Sequence, residues 1–259
     1  VSGFSLSSVD GLLFDLDGVL FIGDRPIDGA RATLDALRKH GVPCRFLTNT
    51  TTRSFDSLYE KIQGLGLNIA KSEVFSPPRI AARYLRKMGA PRCLLILEED
   101  TAKEFAEFPQ DDKHPEVIVI GHYGNRWTYD LLNHLFKLIM DGSEILALHK
   151  GRFWQTDEGL TLDIGAFVVG LEHATGKKAT VIGKPSPTFF RLALEDMGVD
   201  PERAAMIGDD IVNDIKGAQD AGMTGILVKT GKYRPDYVAK SDVKPDFVFD
   251  SVADLQKYL

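Results

Sequence analysis

Two groups of acids in this sequence have the types and spacing for chemistry. Asp15 and Asp17 end Leu12-Leu13-Phe14, an apolar run long enough for one buried parallel strand. On a strand, positions two apart project to the same side, so both carboxylates aim into one small volume. Like charges that close repel, and the usual remedy is a divalent cation or a shared proton. The fragment alone equally fits a turn that the two acids cap beside Gly18, because Asp and Gly are common where strands end. The second group, Asp209-Asp210-Ile211-Val212-Asn213-Asp214, follows another apolar run, Ala204-Ala205-Met206-Ile207-Gly208. Two further polar sites share the pattern: Thr48 and Asn49 follow Cys44-Arg45-Phe46-Leu47, and Lys184 follows Val181-Ile182-Gly183.

If these four segments converge, one magnesium ion would satisfy the acids, since hard cations prefer oxygen ligands. Asp15 and Asp209 are its natural ligands. With Lys184 and the hydroxyl and amides around Thr48, the ion would complete a positive cradle whose matching anion is a phosphoryl group. Asp15 would then attack phosphorus in line, giving an aspartyl-phosphate that water hydrolyses, with Asp17 as acid first and base second. A reading of another class is a phosphate-binding or partner-docking module with vestigial catalysis, but every carboxylate the reaction needs is present.

The elements that must position these groups are short strands alternating with helices. Helices are expected over 30–40, 54–65 and from Pro187 to a stop at Gly198, with strands at 43–47, 204–208 and 225–228. Such alternation implies an α/β fold, a doubly wound parallel sheet of Rossmann-like type, and in such sheets ligands bind beyond the carboxyl ends of the strands. Asp15 with Asp17, Thr48, Lys184 and Asp209 with Asp214 each lie just past an expected strand, so one sheet would bring all of them to one edge. Ser76-Pro77-Pro78 reads as a hinge-like linker. Beyond it, residues 79–179 carry their own strands and helices, including a helix over 127–140, and form an inserted α/β domain. The core is then discontinuous, 1–78 and 180–259. The polar stretch 109–115 reads as a surface loop.

The chain's 259 residues, 44% of them hydrophobic, suffice for a sizeable core. A formal charge of -6 argues against a nucleic acid polymer as partner. Cys44 and Cys93 have no metal-like spacing and fit a reducing compartment. No apolar run approaches the ~20 residues of a membrane helix, and no leader pattern opens the chain, so the expected location is cytoplasmic, with no membrane partner.

The ordered motifs resemble those of the haloacid dehalogenase superfamily. The run DLDGV matches its first motif, Thr48-Asn49 its second, Lys184 in GKP its third and GDDIVNDI its fourth. The resemblance puts Asp15 in the nucleophile position and Asp17 in the acid/base position. Thr48, Asn49 and Lys184 would hold the phosphoryl group. It implies magnesium held by the Asp15 side chain, the backbone carbonyl of Asp17 and Asp209, with Asp214 in support and Asp210 ranked below both. The α/β insert between the second and third motifs looks like the large cap of the nitrophenylphosphatase-like branch, and would select the substrate. The implied activity is that of a phosphomonoester hydrolase on small phosphorylated metabolites, the alternative being a phosphoamide or inorganic pyrophosphate phosphatase. Relatives dimerise through this insert, so the resemblance allows a homodimer through the cap. Within the insert His149, Lys150 and Arg152 read as a solvated basic rim rather than as contacts to an anionic leaving group, Trp154 as a half-buried aromatic rather than a platform for a base or ring, and His122, Tyr123 and His173 as structural.

Overall fold

A computed structural model describes residues 5–156 and 159–259 of the chain. Its strands run in chain order as β1 (Gly11–Asp15), β2 (Phe21–Ile22), β3 (Arg25–Pro26), β4 (Cys44–Leu47), β5 (Val74–Phe75), β6 (Cys93–Ile96), β7 (Val117–Ile120), β8 (Glu144–Ala147), β9 (Phe153–Thr156), β10 (Gly159–Leu162), β11 (Thr180–Val181), β12 (Ala204–Gly208), β13 (Thr224–Val228) and β14 (Phe247–Phe249). The chain divides into two compact units, one of residues 1–48, 59–75 and 184–259, the other of 49–58 and 76–183.

The first unit is built on a six-stranded sheet in the order β14-β13-β12-β1-β4-β5, parallel at every pairing. Every residue of β1 and of β12 is buried, as expected of central strands covered on both faces. Phe14 lies opposite Phe46 and the two rings stack at 5.6 Å. Connections run outward from β1 to β4 and β5 on one side and from β12 to β13 and β14 on the other. The order therefore reverses between β1 and β12, the point where such sheets open a crevice for ligands. Helix Ala30–Lys39 buries Ala30, Thr33, Leu34 and Leu37, one stripe at helical spacing. Helix Pro187–Met197 starts on a proline, whose missing N–H is no loss there, and ends at Gly198 in the left-handed conformation.

The second unit holds a four-stranded parallel sheet, β11-β8-β7-β6, and a β9–β10 hairpin. The fully buried β7 is its centre, and helix Tyr129–Met140 is opened by Thr128, whose hydroxyl accepts from Leu131 N. Three details differ from the sequence reading. Residues 49–58 cluster with this unit rather than with the core. Pro77 and Pro78 are not a linker but the first turn of helix Pro77–Lys87, where prolines leave no helical hydrogen bond unmade. β11 pairs with β8 and so belongs to this sheet, not to the core sheet. No helix among the described residues is long and apolar enough to cross a membrane.

Candidate active site

The register of the core sheet sets the site. Asp15 ends β1 opposite Leu47, so Thr48 is the next residue on one side, while Phe14 pairs with Ile207 and brings Asp209 to the same edge on the other. The carboxylates of Asp15, Asp209 and Asp214 converge there, with ligand oxygens within 4.8 Å of one another, and all three residues are buried.

Lys184 lies among them, 2% exposed, and its Nζ donates to Asp15 Oδ1 at 2.8 Å, Asp214 Oδ1 at 2.7 Å and Leu47 O at 3.3 Å. It arrives here from the segment after β11 rather than from a core strand. Asp15 Oδ1 also takes the Leu16 N–H at 2.8 Å, whereas Oδ2 receives no hydrogen bond among the described residues. Asp214 uses both oxygens, Oδ2 accepting from Asp210 N at 3.0 Å. Asp209 Oδ2 accepts from Lys232 N at 2.6 Å, but its Oδ1 is buried with no hydrogen-bond partner among the described residues. A buried carboxylate oxygen with no donor is costly unless something positive meets it.

The electrostatics agree. Burial pushes Asp15 above the ordinary carboxylate range in spite of Lys184, and Asp17 adds to the rise. Burial, then repulsion from Asp15 and Asp214, pushes Asp209 well up. Burial, opposed by Lys184 and reinforced by Asp15 and Asp210, takes Asp214 to about 7. Burial works to lower Lys184, yet Asp15 and Asp214 outweigh it and hold the ammonium above its usual range. One ammonium thus keeps its charge among more acids than it can neutralise. An all-oxygen donor set of this charge with an orphaned oxygen fits a hard divalent cation such as magnesium.

The remaining expected residues divide. Asp17 reaches the edge by a turn and not by strand alternation, because β1 ends at Asp15 and Gly18 N closes onto Phe21 O at 2.7 Å. It stands outside the carboxylate trio, and its Oδ2 accepts from Thr48 Oγ1 at 3.5 Å. Asn49 begins the second unit, with its side chain beside Gly183. Asp210 is a helix cap: Oδ1 accepts from Val212 N and Asn213 N at 3.0 and 2.9 Å, and Oδ2 from Asn213 Nδ2 at 2.8 Å. Burial opposes its charge, but Lys232 and these donors keep its carboxyl below the ordinary value. Gly18, at φ +89°, has its Cα so close to Asp209 that a Cβ would collide with Oδ2. Gly18→Ala is expected to cost about 1–3 kcal/mol and most activity, read by thermal melts and turnover. A variant as stable and active as the parent would show that the turn yields.

Lys232 is the site residue that the sequence reading missed. Its signal was present, since β13 ends at the same edge and Lys229-Thr230-Gly231-Lys232 follows.

In the second unit, a basic rim is not what forms at 149–152. His149 is buried, its Nδ1 accepts from Gly151 N at 3.1 Å, and its Nε2 lies 3.4 Å from Thr51 Oγ1. Lys150 Nζ is bound to buried Glu172 at 2.7 Å, and Arg152 alone is exposed. The cause is the turn at Asp163 and helix Gly165–Thr175, which fold acids against these bases. Trp154 is half-buried, edge-on to His122 at 5.6 Å, Tyr123 packs edge-on to Trp127, and His173 is exposed.

A parallel sheet with buried acids and a lysine at its carboxyl edge, and a second α/β unit inserted in the chain, define the haloacid dehalogenase-like hydrolases, and the chain belongs to that family. A haloacid dehalogenase-like hydrolase model matches residues 12–109 and a HAD-hydrolase-like model residues 181–255. The chain is 41% identical to the human haloacid dehalogenase-like hydrolase domain-containing protein 2 over 94% of its own length and 93% of the relative's. It is 36% identical to the human phospholysine phosphohistidine inorganic pyrophosphate phosphatase, over 97% and 94%. The structure of the 4-nitrophenylphosphatase of Thermotoga maritima superposes with a TM-score of 0.89 at 28% identity, covering 97% of this chain and 98% of that one. The chain is thus a phosphatase of the nitrophenylphosphatase-like branch, acting on small phosphorylated substrates.

Proposed function

We propose that the chain is a magnesium-dependent phosphomonoester hydrolase that works through a phosphorylated Asp15. The observation that carries this reading is the asymmetry of the Asp15 carboxylate, whose Oδ1 is gripped by Lys184 and Leu16 N while Oδ2 takes no donor among the described residues. Oδ2 attacks phosphorus as the bond to the leaving oxygen breaks, and Asp17 gives that oxygen its proton. Water then attacks phosphorus, passes a proton back to Asp17 and frees Asp15 with release of phosphate. Thr48 holds the phosphoryl group through both steps, and Lys184 steadies it through the Asp15 Oδ1 that it grips. Asp15, Asp209 and the backbone of Asp17 would hold the ion, and Asp214, both of whose oxygens are engaged, would support it from behind. The bound ion would supply positive charge to the phosphoryl oxygens as negative charge builds on them. The inserted unit serves substrate choice and a homodimer contact, and the site of action is the cytoplasm.

Hydrolysis of p-nitrophenyl phosphate is expected to require added magnesium and to stop with EDTA. The magnesium needed for half-maximal rate should fall as pH rises from about 6 to about 8, because Asp214, at about 7, sheds a proton that competes with the metal. Full rate in EDTA would overturn the metal reading. A second reading, cleavage of phosphoamides or pyrophosphate, is motivated by the 36% identical relative whose name states those substrates. A panel with P–O, P–N and pyrophosphate substrates separates the two by kcat/KM.

A further inference from the structure

Lys232 stands outside every role assigned so far. Its backbone N–H grips Asp209 Oδ2 at 2.6 Å, and its ammonium lies 3.6 Å from Asp210 Oδ2 with the side chain 27% exposed. The contact is enforced by the backbone, because Gly231 before it sits at φ +53° with its Cα packed against Gly18 and the Asp209 carboxylate. One residue therefore ties the site in two ways. The peptide fixes a carboxylate that would hold the metal, and the side chain adds a second positive charge beside Lys184.

The charges at this edge make the second tie consequential. Asp15, Asp209, Asp210 and Asp214 face Lys184 and Lys232, so with Asp17 carrying the proton that it passes to the leaving group, four ionised carboxylates meet two ammonium groups. One divalent cation would bring that set to neutrality, and a phosphoryl dianion would then enter a site with no net repulsion. Without the Lys232 charge the same site would hold the cation more tightly and would still be negative when the anion arrived. Lys184 cannot make up the difference, being sealed between Asp15 and Asp214. Lys232 is the partly exposed ammonium, and burial, which works to lower it, is outweighed by Asp210, Asp209, Asp15 and Asp214 in that order.

We infer that Lys232 is a built-in counter-cation of the site, which loosens its grip on the divalent metal and tightens its grip on the phosphoryl anion. The inference rests on the metal reading proposed above. It gives opposite signs for two affinities, which a packing lesion cannot do, since a distorted site binds both ligands less well.

The test uses the full chain and Lys232→Met, which keeps the backbone N–H and the stem but removes the charge. Mn2+ binding is counted from the free-ion electron paramagnetic resonance signal, and inorganic phosphate binding from competitive inhibition of p-nitrophenyl phosphate hydrolysis. Lys232→Met should bind Mn2+ about tenfold tighter and phosphate about tenfold weaker, as expected for one unit charge near the site at an intermediate effective dielectric. Lys232→Arg should restore both values. Weakening of both ligands, or no change in Mn2+ binding, would overturn the inference. Failure of the parent chain to bind Mn2+ would overturn the metal reading first and this one with it. Lys232→Gln gives the same comparison if the methionine variant does not fold.

Discussion

Asp15→Asn should lower kcat on p-nitrophenyl phosphate by on the order of 10⁴-fold or more, as losing the attacking group does in enzymes that work through covalent intermediates. The amide keeps an oxygen to accept from Lys184 and Leu16 N, so the local geometry survives, but it places a nitrogen where Oδ2 would attack. Stability should move the other way. Burial holds the Asp15 carboxyl above its unfolded value, so the folded chain binds that proton more readily than the unfolded one. Ionising Asp15 therefore costs stability, a cost absent at pH below the unfolded value and growing as pH rises past it. The metal-free asparagine variant should melt at or above the parent temperature near pH 8, and the gap should close toward about pH 4. Retained turnover would remove Asp15 from the nucleophile role. Lost turnover with a collapsed melt would leave that role open, and the circular dichroism melt distinguishes the cases.

The core of this site was legible in the sequence because each of its groups sits directly past a short apolar run, and a parallel sheet has only one carboxyl edge. Asp15, Thr48 and Asp209 meet there for that reason. Lys184 also reaches the edge, but by another route, because β11 is two residues long and its sheet is chosen by tertiary packing that no local pattern records. Asp17 shows a second limit. Strand alternation places it beside Asp15, whereas the strand stops two residues earlier, at Asp15, and the turn through Gly18 takes over.

Other misses had signals of their own. Asp210 directly before a helical run is a capping position, and its two backbone contacts are those a cap makes. Ser76 followed by two prolines is a helix start as well as a hinge pattern, and the apolar spacing of Ile80, Ala81 and Leu85 beyond it favours the helix. Lys150 carried no such signal. Its partner Glu172 is twenty-two residues away on a helix, so only the fold could show that this lysine is spoken for.

Lys184→Met should be the most damaging substitution in the chain, abolishing turnover and destabilising the protein by about 3–5 kcal/mol, the range for breaking a buried ion pair by removing one partner. Three acceptors lose the ammonium at once, namely Asp214 Oδ1, Leu47 O and Asp15 Oδ1, which keeps the Leu16 N–H alone. The pH dependence follows from which groups titrate. The folded ammonium is held above its unfolded value, so its contribution is fully present below the usual lysine pKa of ~10.4 and is constant from about pH 5 to about pH 9. Change across that window must come from the acids left behind. Without the ammonium, Asp15 and Asp214 rise further and take up protons as pH falls, so the deficit should be larger near pH 8 than near pH 5. Asp214→Asn in the same chain should recover part of the stability and none of the turnover, because it removes an unpaired charge without returning a donor to Asp15. Urea titrations of the four chains at both pH values measure the cycle. Additive losses in the double variant would mean that Lys184 and Asp214 do not act as a pair, whatever their 2.7 Å separation.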